Sequence, residues 1–212
     1  MVAIDGPSGS GKSTVAREVG HTLGLPVLET GAMYRAVTLA ALQEGVAPDD
    51  GDALAALADR LHIEVDAGVR VDGVDVTDDL RRPEVTAAVS AVAAVPGVRA
   101  ALVARQRQWI LSHGGGVVEG RDIGTVVAPD AALKVFLVAE EGERAARRHT
   151  QEQVLGLEAT RQDLQRRDAF DAARAAAPLA VAGDAVVVDT TGRGIDEVVA
   201  EVIELFRSVA PG

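Results

Sequence analysis

The sequence predicts an α/β fold: a five-stranded parallel sheet with helices on both faces and a small inserted lobe. Three observations lead there. Short apolar runs alternate with longer stretches of helical period, the pattern of strands joined by crossover helices. The first run ends in a glycine-rich loop that opens a helix. One later stretch switches to alternating apolar and polar residues, which is foreign to a buried parallel strand.

Taken in order, Val2-Ala3-Ile4 reads as the first strand, and Lys12 to about Leu23 as the helix after it, closed near Gly24. Pro26-Val27-Leu28 is a second short strand, followed by helices over Gly31–Glu44 and Asp52–Leu61. The alternating stretch comes next: His62–Asp66, Val69–Asp72 and Val74–Thr77, with Gly68 and Gly73 at the turns, read as a small antiparallel meander. Helices over Pro83–Val95 and Pro96–Leu111 follow it, and residues from about 61 to 98 are expected to form a side lobe. Val117-Val118-Glu119, Leu133–Val138 and Ala185–Asp189 complete the sheet, and Ile195–Ser208 is a terminal amphipathic helix. Ala172–Ala182 is helix-compatible by composition.

With 212 residues, 48% of them hydrophobic, the chain can bury one substantial core. It has no cysteine, which removes disulfides and thiolate chemistry. Met1–Asp5 is too short for the apolar region of a secretory signal, and no apolar run reaches the ~20 residues of a membrane span. A cytoplasmic protein with no membrane partner is expected. The net charge of −11 disfavours a broad nucleic-acid surface, and 2% aromatic residues leave little to stack on bases. Neither fact opposes a small anion held by a local cluster of donors.

Such a cluster is written into Gly6-Pro7-Ser8-Gly9-Ser10-Gly11-Lys12-Ser13, a full match to GxxxxGK[ST] between a strand and a helix. Glycines let backbone N–H groups turn inward on a polyphosphate, and the helix N-terminus adds partial positive charge. Lys12 would reach the β- and γ-phosphates, and the Ser13 hydroxyl would ligate Mg²⁺. The chain contains no Asn-Lys-x-Asp stretch to read guanine. Ala185-Val186-Val187-Val188-Asp189 has the shape of a motor ATPase's acidic strand but lies too near the C-terminus.

Four further groups could serve an acceptor. Thr30-Gly31-Ala32-Met33-Tyr34-Arg35 follows the second strand, and Arg35 stands early in a helix. Glu119–Thr125 follows the third strand, where loops past the carboxyl ends of an open α/β sheet carry chemistry; it places Arg121 beside Asp122 between glycines. Arg144, Arg147 and Arg148 share one helical face at i, i+3 and i+4. Arg167, Asp171 and Arg174 do the same at i, i+4 and i+7. By spacing alone, Arg35 reads first as a solvated surface charge and the two arginine-bearing helical faces as ion-paired surface, while Glu119–Thr125 reads as well as a structural turn with a surface ion pair.

Together these stretches resemble the bacterial cytidylate kinases over nearly the whole chain. The resemblance rests on Ile4–Thr14, on Thr30–Arg35, on Ser90–Arg99 with Pro96, on Glu119–Val127 with Pro129-Asp130-Ala131, and on Arg167-Asp168 with Asp171, Arg174, Pro178 and Leu179. It implies that Gly6, Pro7, Ser8, Gly9, Ser10, Gly11, Lys12, Ser13 and Thr14 hold ATP phosphates, with Mg²⁺ at Ser13. It implies that Arg35 and Arg121 bind the CMP phosphate, with Thr30 and Tyr34 in the same acceptor loop, and that Ser90, Arg99 and Asp122 read cytosine. Asp171 and Arg167 would hold the ribose, Arg174 would stand close to the transferred phosphoryl group, and Arg144, Arg147 and Arg148 would belong to a lid over about 144–165. Lys12, Arg121, Arg147 and Arg174 are then the expected catalytic residues. The stretch between Arg148 and Arg167 is shorter than the family pattern.

The resemblance thus implies a monomeric kinase acting on ATP and CMP or dCMP, in one domain over 1–212 with the acceptor lobe at about 61–98. The rival acceptors are UMP, AMP and shikimate. The rival class is a non-catalytic ATP-dependent switch.

Overall fold

The computed structural model describes residues 1–65, 68–152, 156–172 and 177–209. The chain divides into two compact units, one of residues 1–27 and 113–212, the other Leu28–Ser112. The sheet holds β1 (Val2–Asp5), β2 (Val27–Glu29), β6 (Val117–Gly120), β7 (Leu133–Val138) and β8 (Val186–Asp189) in the order β2-β6-β1-β7-β8. Strand β1 runs parallel to both β6 and β7, and β7 to β8. All four residues of β1 are buried, as a central strand covered on both faces requires.

The order reverses around β1. The chain leaves β1 toward one edge and later returns from β6, across β1, to β7. Loops that follow strands on either side of such a reversal diverge and open a crevice at the carboxyl ends. In this chain those loops are the glycine-rich turn after β1 and the turn after β6.

Helix α1 (Lys12–Leu23) and helix α8 (Ile195–Val209) cover one face of the sheet. Val15, Ala16 and Val19 of α1 and Val198, Val199, Val202 and Ile203 of α8 meet Val2, Ile4, Val135 and Leu137 in one cluster. Aliphatic burial of this kind stabilises the unit by roughly 25 cal/mol per Å² of apolar surface. Gly24 closes α1 in the left-handed conformation at φ 64°, which glycine adopts without a Cβ penalty.

In the second unit, α2 (Thr30–Glu44), α3 (Gly51–Arg60), α4 (Pro83–Val92) and α5 (Pro96–Ser112) surround the meander β3 (Ile63–Val65), β4 (Val69–Val71) and β5 (Val74–Asp75). The meander is antiparallel in the order β3-β4-β5. Its tight turn is Asp72-Gly73, both at positive φ (50° and 82°), the geometry of a two-residue hairpin loop. Ala36, Leu39, Val69, Val76, Leu80 and Val85 form the core of this unit. The stretch expected as a side lobe lies wholly within it.

Two local expectations change. Helix α7 (Leu157–Ala172) takes in the first residue of the stretch Ala172–Ala182, and residues 173–176 lie outside the described residues. The described residues 177–182 are not helical, and Ala177 is left-handed at φ 55°. Pro178 disfavours helical backbone at the residue before it and lacks the N–H a helix would use. The turn after β6 is not irregular either, since Ile123–Val127 forms a single π-helical turn. Such turns recur at functional sites.

Candidate active site

The glycine-rich loop joins β1 to α1. Gly6, Gly9 and Gly11 have φ of 148°, 78° and 91°, and a Cβ on Gly6 would lie 2.2 Å from the Leu137 carbonyl oxygen. A side chain cannot be accommodated there. Gly11 offers no side-chain cap to α1, so the first N–H groups of that helix face the loop.

Lys12 is buried and folds back into this loop, its Nζ donating to the Pro7 carbonyl at 2.6 Å and lying 3.5 Å from Ser10 Oγ. Burial, then the like charge of Arg121, pulls its ammonium down to about 7 against the opposing pull of Glu119, Asp5 and Asp168. The folded chain binds fewer protons at Lys12 than the unfolded chain between about pH 7 and 10.5, so this group's contribution to stability rises across that window.

Ser13 Oγ lies 3.1 Å from Glu119 Oε1 and donates to it. A hydroxyl and a carboxylate oxygen side by side suit a hard divalent cation, which takes one or two protein oxygens and completes its shell with phosphate oxygens and water. The residues present therefore fit Mg²⁺.

Arg121 donates from Nε to Asp171 Oδ2 at 2.9 Å. Arg167, one turn before Asp171 on α7, is buried, and its Nε and Nη1 find no hydrogen-bond acceptor among the described residues. Burial, then Arg121 and Arg148, holds it down at about 10. A desolvated guanidinium facing other cations is costly, and an anion is the group that would relieve it.

Helix α6 (Glu141–Glu152) carries the three arginines of one face, and the fold sends them to different partners. Arg144 donates to the Ser8 carbonyl at 2.9 Å and pairs with Asp168, which also accepts from the Ser8 N–H at 3.2 Å. Arg147 donates to Glu143 and to the Thr190 carbonyl at 2.6 and 2.7 Å. Arg148 contributes to the field at Arg167. Asp122 is buried at the head of the π-helical turn. Arg174 lies outside the described residues.

In the unit of residues 28–112, Thr30 opens α2 and is buried. Arg35 Nη1 donates to the Leu80 carbonyl at 2.8 Å and to Thr86 Oγ1 at 2.9 Å, which ties α2 to α4. Arg99 is buried on α5, its guanidinium carbon 5.8 Å from the centre of the Tyr34 ring. That is within the range at which a cation is attracted to a ring face. Ser90 is half-buried on α4.

Within the first unit, the structure gathers the loop residues, Lys12, Arg121, Arg144 and Arg167. It also shows three acidic residues to which the sequence reading gave no role: Asp5, Glu119 and Asp168. Asp5 and Glu119 stand at the carboxyl ends of strands β1 and β6, and that position alone could have marked them.

The cytidylate kinase family model matches residues 2–208. A cytidylate kinase of Limosilactobacillus reuteri (strain DSM 20016) is 46% identical over 217 residues, covering 98% of this chain and 95% of that protein. A bifunctional pantoate ligase/cytidylate kinase of Synechococcus sp. (strain JA-3-3Ab) is 48% identical, covering 99% of this chain, which spans only 41% of that protein's length. The crystal structure of a gluconokinase from Sinorhizobium meliloti 1021 superposes with a TM-score of 0.52 at 18% identity, covering 99% of this chain and 92% of that one. At that identity it speaks for the fold alone.

Proposed function

The chain belongs to the cytidylate kinase family, and on that premise we propose that it transfers the γ-phosphoryl group of ATP to CMP or dCMP, giving ADP and CDP or dCDP. One observation within the chain carries this beyond family membership. The buried Lys12 of the phosphate loop, Arg121, and the unsatisfied Arg167 stand in a single unit, and the charge of Arg121 depresses both Lys12 and Arg167. A triphosphate alone would answer Lys12. Arg167, with two nitrogens unsatisfied among the described residues, calls for a second anion, and the phosphate of a nucleoside monophosphate is one.

In this reading the loop N–H groups and Lys12 hold the donor phosphates. Arg121 and Arg35 take the acceptor phosphate, Asp171 and Arg167 the ribose, and Ser90, Arg99 and Asp122 the base. Mg²⁺, held by Ser13 and Glu119, would neutralise phosphate charge. The acceptor phosphate is already an anion, so no side chain has to act as a strong base, and no covalent intermediate is required. Lys12, Arg121, Arg147 and Arg174 would meet charge that grows on the equatorial oxygens as the phosphoryl group passes in line. The lid at about 144–165 and the lobe at about 61–98 would exclude water. We also infer a monomer working in the cytoplasm. The test is ADP release in the presence of each acceptor in turn: it should require CMP or dCMP and fail with UMP, AMP or shikimate.

Lys12 gives a second test. With its ammonium pulled down to about 7, Lys12 is mostly neutral in the free protein at pH 8. A bound triphosphate favours the charged form and raises that value. ATP binding at pH 8 is expected to take up protons, read by calorimetry in buffers of different ionisation enthalpy. Lys12→Met should abolish the uptake; binding without uptake in the parent protein would contradict the buried-lysine account.

A further inference from the structure

We propose that Asp5 is a positioning residue for base recognition, its carboxylate holding the turn that presents Arg121 and Asp122 to the acceptor. The inference rests on the functional reading above. Asp5 is the last residue of β1 and is buried. Its Oδ1 accepts from the Ile123 N–H at 2.8 Å and its Oδ2 from the Gly124 N–H at 2.7 Å. Those are the first two N–H groups of the π-helical turn, and a helical turn cannot satisfy its own first donors. Asp122 itself offers them no side-chain cap. One carboxylate, reaching across from the neighbouring strand, supplies both acceptors.

The consequence is geometric. Asp122 is the residue immediately before the two clamped peptides, and its carbonyl accepts from Val126 N–H at 2.9 Å and Val127 N–H at 3.2 Å from the other side of the turn. The backbone of Asp122 is therefore fixed on both sides, with φ −146° and ψ 27°. Gly124 completes the seat: a Cβ there would lie 3.2 Å from Lys134 Cδ, 3.3 Å from Lys134 Cγ and 3.4 Å from Asp5 Oδ2. The Lys134 stem under it is itself held, because Nζ bonds both oxygens of Asp184 at 2.8 Å. The clamp links the strand that feeds the phosphate loop to the turn that reads the base, without touching either nucleotide.

Asp5 is also a costly group to bury. Burial and the neighbouring Asp122 lift its carboxyl to about 6, against the two N–H bonds and the charge of Lys12.

The experiment is Asp5→Asn in the full chain, with separate Michaelis constants for CMP and ATP and a melting curve at pH 7.5. Asparagine keeps the size but has one acceptor oxygen, and its NH₂ must face one of the two N–H donors. The KM for CMP should rise roughly tenfold, as expected for one lost charge-assisted bond, with the KM for ATP within about twofold. The melting temperature should move by a few degrees at most, because relief of the buried charge opposes the cost of one unsatisfied N–H. An unchanged KM for CMP overturns the proposal. So does an equal rise for both nucleotides, or a rise confined to ATP and the Mg²⁺ requirement, which would put Asp5 on the donor side. Gly124→Ala presses on the same seat from the opposite face and should give the same CMP-selective rise; should Asp5→Asn not fold, a nucleotide-blind Gly124→Ala overturns the proposal by itself. A parent protein that ignores CMP would instead overturn the functional reading, and the two failures are distinct.

Discussion

Lys12→Ala is expected to reduce kcat by roughly 10²–10³-fold or more, the scale at which loss of one preorganised electrostatic group acts on a transition state. The fold should survive the change. Lys12 is buried, and its ammonium is penalised both by that burial and by Arg121. Removing the charge ends this penalty but weakens the screening of Asp5, Glu119 and Asp168. The two effects oppose each other, so the melting temperature should move by a few degrees at most. Lys12→Met, which retains the apolar stem, should move it least. Near-normal turnover in a folded variant would show that the loop does not hold the reacting phosphates.

Asp122→Ala is expected to reduce kcat/KM for CMP by roughly 10²–10³-fold and that for UMP far less, so that the ratio between them narrows. Cytosine offers an N4 amino donor where uracil offers a carbonyl oxygen. An ionised carboxylate only accepts, so it pairs with the amine and repels the carbonyl. Arg99 only donates and, in the proposed reading, would suit the O2 and N3 acceptors; its guanidinium lies over the Tyr34 ring at 5.8 Å. The loss should exceed that of a surface contact because Asp122 is buried, where an unmatched polar pair costs about 1–3 kcal/mol. ATP affinity should be nearly unchanged. Equal losses for the two pyrimidines would remove Asp122 from base recognition and leave a broader monophosphate kinase.

The sheet was legible in the sequence because buried parallel strands are short apolar runs and because Gly6–Ser13 anchors β1 and α1 on either side. The meander was legible through its change of period and through Gly73, which the hairpin turn uses at φ 82°. The candidate site was legible as residue types but not as partnerships. The spacing of Arg144, Arg147 and Arg148 places them on one face, yet Ser8, Thr190 and Arg167, which decide their separate fates, come from distant segments. Likewise Arg167 and Asp171 are spaced as an ion-pair ladder, whereas Asp171 bonds Arg121 and leaves two nitrogens of Arg167 unsatisfied. Asp5 shows the same limit. Its role depends on Ile123 and Gly124, 118 and 119 residues further along, and only the crossing of β1 beside β6 brings them together.

The most direct measurement of phosphoryl transfer to CMP is to follow the label. ATP carrying a labelled γ-phosphate is given to the protein with Mg²⁺ and an equal mixture of CMP, UMP and AMP. The account predicts that the label appears in CDP, with a preference for CMP over UMP of roughly 10²–10⁴ in kcat/KM, and that little reaches inorganic phosphate. Label in UDP or ADP as readily as in CDP would contradict base reading by Ser90, Arg99 and Asp122, and label in inorganic phosphate alone, at a rate indifferent to CMP, would contradict transfer itself.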